Sequence, residues 1–355
     1  MRTVVDNGTA RTRGIRAVLL AVAAIGAFLI VLPLATGLPG KSDATGQMMS
    51  AFRPQMTDSA LAQGRADQKT MQTMADQLGG QMLPALATQL KMTPDQLNAF
   101  LAQSFPATAK GLATMPAMLP FFGNLQSTME AQQANFQQAD QIPTSFLPPT
   151  SMTILFVIPG ALLMVVAGYG LFRPARARRA FAATAIVGLL TVVGLLAVSM
   201  SSKASAADDM TAAFKPVFAA QSVQLAHDYT ATATAMSDEF GSKVLPGLAT
   251  ALHMTPTQLG AMMSQNFSAV ATGAAQLPGI ITRMHTATSL IENNVSNYEQ
   301  SASIPWSPGS MITMFWFMMA PAVAAAAIGA GAFVLTVRRP TAVRPVTHMR
   351  GALHH

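Results

Sequence analysis

Cysteine is absent from the 355-residue sequence, and charged residues are scarce. Without cysteine the chain has no disulfide bond, no thiolate metal site and no thiol catalysis. Aspartate, glutamate, lysine and arginine together make up 10% of the residues, whereas about 25% is typical of a soluble domain. Hydrophobic residues account for 51%, and the mean hydropathy is positive at +0.36. This composition predicts an integral membrane protein.

Four stretches of the sequence contain no aspartate, glutamate, lysine, arginine or histidine. They are residues 17–38, 151–172, 180–200 and 310–337. A helix needs about 20 apolar residues to cross a hydrocarbon core that is about 30 Å thick. Each stretch is long enough, so we predict four transmembrane helices.

The placement of arginine predicts the orientation of these spans, because basic residues near a span are retained on the cytoplasmic side. Twelve of the 22 lysines and arginines lie in three short pieces, residues 1–16, 173–179 and 338–355, together with a single acid, Asp6. We therefore expect both termini in the cytoplasm and the two intervening domains outside. High alanine, threonine and glycine with little lysine are typical of a GC-rich bacterium, which predicts the plasma (inner) membrane. The net charge of +7 follows from this topology, so membrane lipids and not nucleic acid are the expected partners.

One segment of the chain occurs twice. Residues 83–113 reappear as residues 245–275, an offset of 162, and 18 of the 31 aligned pairs are identical. The same offset places Lys41 on Lys203 in the flanking segments. Each unit has two spans, so both units have the same orientation and are related by an axis along the membrane normal. We predict an all-α membrane protein with four transmembrane helices and two tandemly repeated helical extracytoplasmic domains, a parallel internal duplication.

The predicted order of segments follows from the spans and the offset. It is cytoplasmic tail 1–16, span 17–38, helical extracytoplasmic domain 39–150, span 151–172, cytoplasmic loop 173–179, span 180–200, helical extracytoplasmic domain 201–309, span 310–337 and cytoplasmic tail 338–355.

Helix-start signals divide the outer domains into helices. In residues 92–97 (MTPDQL), Thr93 suits an N-cap, the following proline suits the first helical position, and Gln96 completes a capping box. Residues 254–259 (MTPTQL) repeat the pattern. Segments 64–78, 84–91, 94–104 and 107–138 read as helices in the first domain, with helix ends expected at Gly79 and Gly241.

The helix that follows each capping box has an apolar stripe on one face. This stripe is the candidate face for a partner or an apolar ligand, formed by Leu97, Phe100, Leu101 and Phe105 and by Leu259, Met262, Met263 and Phe267. Charged side chains are sparse throughout the predicted domain 39–150, sparser than on a helical domain surrounded by water. Some of this surface is therefore expected to be covered by the other repeat, by another protein or by an apolar ligand.

The sequence has 25 methionines, and thioethers bind soft ions such as Cu(I) or Ag(I). However, the histidines of the second domain, His227, His253 and His285, have Arg65, Lys91 and Gly123 as their counterparts. The methionines also fall mostly on apolar faces, where they act as flexible filler. Packing is the favoured interpretation over a metal site, and no metal or cofactor is predicted.

Glycines such as Gly26 and Gly188 occur within the spans, where small residues allow helices to approach closely. Close packing is the favoured role, and a gate or hinge is the alternative. No span contains a charged residue of the kind that proton-driven pumps need in their path.

No catalytic motif accompanies this layout. The acids that both repeats share, Asp76 with Asp238 and Glu130 with Glu292, have no histidine nearby in sequence. We therefore predict a non-enzymatic scaffold or accessory subunit of a cell-envelope assembly. Its extracytoplasmic domains would bind another envelope protein or self-associate. The alternative is a carrier or conduit for lipid or another hydrophobic molecule.

Overall fold

The computed structural model describes residues 3–142, 151–306 and 309–337, with side chains from Thr12 onward. Within these ranges the chain is all-helical and contains no strand. The predicted cytoplasmic tail 338–355 and the segment 143–150 before the second predicted span lie outside the described residues. The described residues form two compact units, one within residues 3–36, 153–199 and 314–337, the other within residues 37–142, 151–152, 200–306 and 309–313.

Four helices of the described chain are long and apolar enough to span a membrane. They are α1 (Thr3–Ala35), α7 (Met152–Phe172), α8 (Ala177–Ala197) and α14 (Met311–Val337). They account for nearly all of the described residues of the first compact unit. For the described residues, the prediction of an all-α fold with four helices long and apolar enough to span a membrane is confirmed.

Glycines bring these helices together in pairs. A Cβ atom added to Gly26 of α1 would lie 2.7 Å from the carbonyl oxygen of Gly160 on α7. A Cβ atom added to Gly188 of α8 would lie 2.5 Å from the backbone nitrogen of Ala326 on α14. Both distances are too short for a real Cβ atom, so these positions require glycine for close backbone approach.

Two residues in left-handed conformation end the apolar helices α1 and α8. Gly37 has φ 66°, and Ser199, its counterpart in the second repeat, has φ 51°. The helices end at Ala35 and Ala197, three residues before the predicted span ends at 38 and 200. The next helices, α2 (Leu38–Phe52) and α9 (Met200–Phe214), begin directly after the turns.

Matching helices make up the second compact unit, which we call the helical unit. Its first half continues after α2 with α3 (Asp58–Gln77), α4 (Leu83–Gln89), α5 (Pro94–Ser104) and α6 (Pro106–Ala139). Its second half continues after α9 with α10 (Ala220–Glu239), α11 (Leu245–Ala251), α12 (Pro256–Asn266) and α13 (Ser268–Ala302). Every one of these helix starts in the second half matches its counterpart in the first by the offset of the sequence repeat.

The capping-box signals for helix starts are confirmed, whereas the helix ends expected at Gly79 and Gly241 are not. In α5 the Thr93 hydroxyl accepts from the Gln96 N–H at 3.2 Å, and the Gln96 side chain accepts from the Thr93 N–H at 2.9 Å. The predicted helix ends at Gly79 and Gly241 are wrong, because the chain passes through each as a π-helical turn, residues 78–82 and 240–244. Such a turn bends the chain without breaking the helix.

The two halves of the helical unit are interleaved. Helices α3, α6, α10 and α13 pack in a ring, while α2 packs against α13 and α9 packs against α6. The core of the ring takes buried residues from all four helices. Its members include Met74, Met118, Met236, Leu277 and Ile280. The segments predicted as two outer domains therefore share one hydrophobic core.

Equivalent lysines connect the halves in both directions. The Nζ of Lys41 donates to the carbonyl oxygens of Ser303 and Pro305, each at 2.8 Å. The Nζ of Lys203 donates to the carbonyl oxygen of Gln141 at 3.0 Å. Because carbonyls at the end of a helix lack intrahelical partners, these ammonium groups stabilise the chain just beyond α13 and α6. Burial lowers the pKa of Lys203.

The first turns of α6 and α13 are also capped from the opposite half. Gln77 Oε1 accepts from the N–H groups of Ala269 and Val270 at 2.8 and 3.1 Å. Glu239, the counterpart of Gln77, accepts from the Thr108 N–H at 2.7 Å. The N–H groups of a first helical turn have no intrahelical acceptor, so each side chain satisfies donors of the other half.

Candidate functional site

A cavity of about 130 Å³ lies between α3, α6 and α13 of the helical unit. It therefore takes its walls from both halves. Most of the lining is apolar, including Phe52, Met71, Leu119, Phe122, Met129, Ile280, Met284 and Ile291. Cavities of about 150 Å³ lined by such side chains bind benzene, while drug-sized ligands occupy about 300–1,000 Å³. This cavity suits a ring or a short stretch of an alkyl chain.

The polar part of the cavity wall contains an ion pair and the side chains of Gln55, Gln68 and Gln126. Arg283 of α13 donates from Nε to Asp67 Oδ2 of α3 at 2.5 Å and from Nη2 to Asp67 Oδ1 at 2.7 Å. The Asp67 side chain is 12% exposed and that of Arg283 is 47% exposed. Gln63 donates a further hydrogen bond to Asp67 at 2.8 Å. The hydrogen bond to Asp67 raises the pKa of Arg283 against the opposing effect of burial, so the guanidinium stays charged.

The equivalent contact, between α10 and α6, is made by two aromatic rings. By the offset of the repeat, Asp67 corresponds to Tyr229 and Arg283 to Phe121. The Phe121 and Tyr229 rings meet edge to face with their centroids 5.4 Å apart. The helical unit therefore carries charge at one of two equivalent places and an aromatic pair at the other.

A second pair of equivalent contacts lies between α3 and α6 and between α10 and α13. Arg65 Nε lies 3.1 Å from Glu130 Oε1. In the other half His227 Nδ1 lies 3.0 Å from Glu292 Oε1. The acids that both repeats share at 130 and 292 thus contact Arg65 and His227 on the surface.

The predicted apolar face is divided between two environments. Its first-half residues, Leu97, Phe100, Leu101 and Phe105, line a second cavity of about 60 Å³. The Phe100 and Phe105 rings meet edge to face at 6.0 Å, and Phe100 remains 38% exposed. Its second-half residues, Leu259, Met262, Met263 and Phe267, pack in a core cluster with Leu78 and Met82.

Methionines concentrate where the two halves meet. Met71, Met74, Met115, Met118, Met236 and Met284 belong to the core of the four-helix ring. A Cβ atom added to Gly111 would overlap the Met236 side chain, and one added to Gly273 would overlap Met74. In the described part of the chain no three histidine, aspartate or glutamate side chains converge as metal ligands.

Asp67 and Arg283 were not among the sequence-predicted site residues. They lie 216 residues apart, and neither belongs to a motif. The duplicated sequence does contain a signal for this contact, because positions 67 and 283 are charged while both of their counterparts, 229 and 121, are aromatic. Two positions that change character together in a duplicated chain are candidates for spatial contact.

Comparison with protein-family models, with curated proteins and with solved structures gives no significant match to this chain. The geometry and chemistry of the site therefore carry the functional interpretation.

Proposed function

We propose that this chain is a non-enzymatic protein of the bacterial plasma (inner) membrane that carries the apolar part of a lipid or another hydrophobic molecule. Both termini are cytoplasmic in this proposal, and the helical unit lies outside. The single observation that carries it is the apolar cavity of about 130 Å³ between α3, α6 and α13.

The chemistry of the cavity wall supports this function. Leucine and phenylalanine side chains provide apolar surface for an acyl chain. Methionine side chains can also adapt to the shape of that chain, because they are unbranched and polarizable. An alkyl group in the cavity would gain dispersion contacts with the apolar side chains of its wall. Four helices are long and apolar enough to span a membrane, and a membrane is where acyl chains are abundant.

Photo-crosslinking tests the proposal. The intact protein is placed in lipid nanodiscs with a fatty acid that carries a diazirine near the end of its chain, and the adducts are mapped by mass spectrometry. Adducts are expected on residues that line the cavity, such as Met71, Leu119 and Met284.

A cavity-filling variant provides the matched comparison. Ala287 lines the cavity, so Ala287→Phe should fill it and reduce the adducts at least several-fold. Ala131 is exposed on α6, so Ala131→Phe should leave them unchanged. Adducts confined to α1, α7, α8 and α14, or equal adducts in both variants, would argue against a carrier.

The second candidate is an accessory subunit that binds another envelope protein, or a second copy of itself, through α5. The supporting observation is the exposed Phe100 ring, whose counterpart Met262 packs beside the core in the other half. A photo-crosslinking amino acid at position 100 should capture a protein partner in intact cells. The same amino acid at position 262 serves as the control, and absence of any protein adduct specific to position 100 would remove this candidate.

A further inference from the structure

The ion pair at the cavity wall is not required by the fold. At the equivalent place the same helix contact is made by Phe121 and Tyr229, whose rings pack with centroids 5.4 Å apart. The Arg283 side chain is 47% exposed, and ion pairs that remain in contact with water contribute little to stability. The fold accepts an aromatic pair at the equivalent helix contact, so packing does not require the charges. Because the charged pair lines a mostly apolar cavity, it points to a role in binding a ligand.

The hydrogen bonds of the ion pair occupy the Asp67 carboxylate but leave N–H donors of the Arg283 guanidinium available to a ligand. Asp67 receives two hydrogen bonds from Arg283 and one from Gln63, and only 12% of its side chain is exposed. A guanidinium has five N–H donors, of which two are used on Asp67. In the described residues the other three have no protein acceptor, and the Arg283 side chain is 47% exposed.

Asp67 therefore acts as a positioning residue. Its bidentate contact fixes the plane of the guanidinium, so the remaining donors are held in one orientation. Carboxylate and phosphate groups match the donor geometry of arginine. A cationic headgroup would instead meet the exposed positive charge of Arg283.

We infer that the cavity takes a single-chain amphiphile with an anionic headgroup, a carboxylate or a phosphate, which Arg283 binds while the chain enters between α3, α6 and α13. This inference rests on the proposed carrier function and identifies its ligand class. The equivalent place holds Phe121 and Tyr229, so it lacks the charged pair that would bind such a headgroup.

Competition between amphiphiles that share the same alkyl chain but differ in headgroup tests the inference. In nanodiscs of zwitterionic lipid, dodecanoate, dodecyl phosphate, dodecanol and dodecyltrimethylammonium compete with the photo-crosslinkable fatty acid. The two anions should compete about ten-fold better than the alcohol, as is typical of a hydrogen bond to a charged group, and the cation should compete least. Acetate and inorganic phosphate should not compete, which separates an amphiphile site from a site for free anions.

Protein variants that lack the two charges test whether the ion pair causes the preference for anionic headgroups. Asp67→Asn with Arg283→Gln removes both charges at nearly constant volume, so the advantage of the anions should disappear while labelling by an uncharged diazirine alkane persists. Arg283→Lys should retain part of the preference, because it keeps the charge without the planar fork. Asp67→Tyr with Arg283→Phe copies the aromatic pair and should retain the Tm of the unmodified protein.

The outcomes separate the two proposals. Equal competition by dodecanoate and dodecanol in the unmodified protein would overturn the anionic headgroup and leave the carrier function standing. Retention of the full preference in the Asp67→Asn, Arg283→Gln protein would also overturn it. Absence of any cavity labelling in the unmodified protein would overturn the carrier function itself.

Discussion

The carboxylate of Glu239 accepts a hydrogen bond from the backbone N–H of Thr108 at 2.7 Å. Burial raises the pKa of Glu239, but the bond from Thr108, the Lys243 ammonium and the Ala107 N–H lower it by more, so the pKa lies below its ordinary value. Stability gained from a carboxylate with a lowered pKa is present above the unfolded pKa, about 4.3 for glutamate. That stability is lost as the pH falls through the folded pKa.

Glu239→Gln should remove this acid dependence. Glutamine occupies the equivalent position 77 and caps α13 there, so the variant should keep its cap and show a smaller loss of Tm between about pH 5 and the acid range. The reverse exchange, Gln77→Glu, should increase that loss. Thermal unfolding against pH measures both, and identical pH profiles for all three proteins would contradict the assignment.

Removal of the uncharged cap at Gln77 should lower the free energy of unfolding at near-neutral pH. Gln77→Ala leaves the N–H groups of Ala269 and Val270 without an acceptor. The expected loss is about 1 kcal/mol, as for other helix N-caps. Urea unfolding followed by circular dichroism measures it, with the exposed Gln72→Ala on the same helix as the control.

Replacement of Lys91 and His253 by glycine should stabilise the helical unit. Both residues follow a short helix with positive φ, 56° and 52°. In each case the next N–H bonds back to a helix carbonyl, Met92 to Ala87 and Met254 to Ala249, both at 2.8 Å. Glycine is the preferred residue at this position because it has no Cβ penalty. Each substitution should add about 1 kcal/mol to the free energy of unfolding, whereas alanine at the same sites should add nothing.

Gly111→Ala should destabilise the core between the halves. The new methyl group would overlap the Met236 side chain, and overpacking of this kind costs about 1–3 kcal/mol. A second change, Met236→Ala, should recover part of the loss by making room. Gly260→Ala is the control, because a Cβ atom there meets nothing within 4 Å, and it should be neutral or stabilising.

The absence of cysteine allows a direct test of the proposed orientation. Ala99 and Ala261 are equivalent and exposed, and Ala175 is exposed in the connection between α7 and α8. Single cysteines at 99 and 261 should react with a membrane-impermeant maleimide in cells with a permeable outer layer. A cysteine at 175 should react only after the inner membrane is opened, and the opposite pattern would invert the topology.

The local features of the fold were predictable because they depend on neighbouring residues. Thr93 and Gln96 lie three positions apart, so the capping box follows from the sequence alone. The four apolar helices follow from the lack of charge over about 20 residues. The π-helical turn at Gly79 was mistaken for a helix end, since glycine favours both a stop and an irregular turn.

The interleaving of the halves was not predictable from periodicity. An apolar stripe shows that a face is buried, but it does not identify the helix that covers it. Met74 packs beside Gly273 across the halves, and nothing near either residue in the sequence indicates that contact. The pair of Asp67 and Arg283 was missed for the same reason, because charge complementarity over 216 residues has many alternatives.

The reciprocal bonds of Lys41 and Lys203 make neither half self-sufficient. A chain carrying only one half would leave the faces of α2 and α6 bare, together with the first-turn N–H groups of α6. Only another half can supply the helices and side chains that complete them. A one-half chain with this fold would need a second copy to cover those faces, whereas within one chain the two halves can differ, as Tyr229 and Asp67 do.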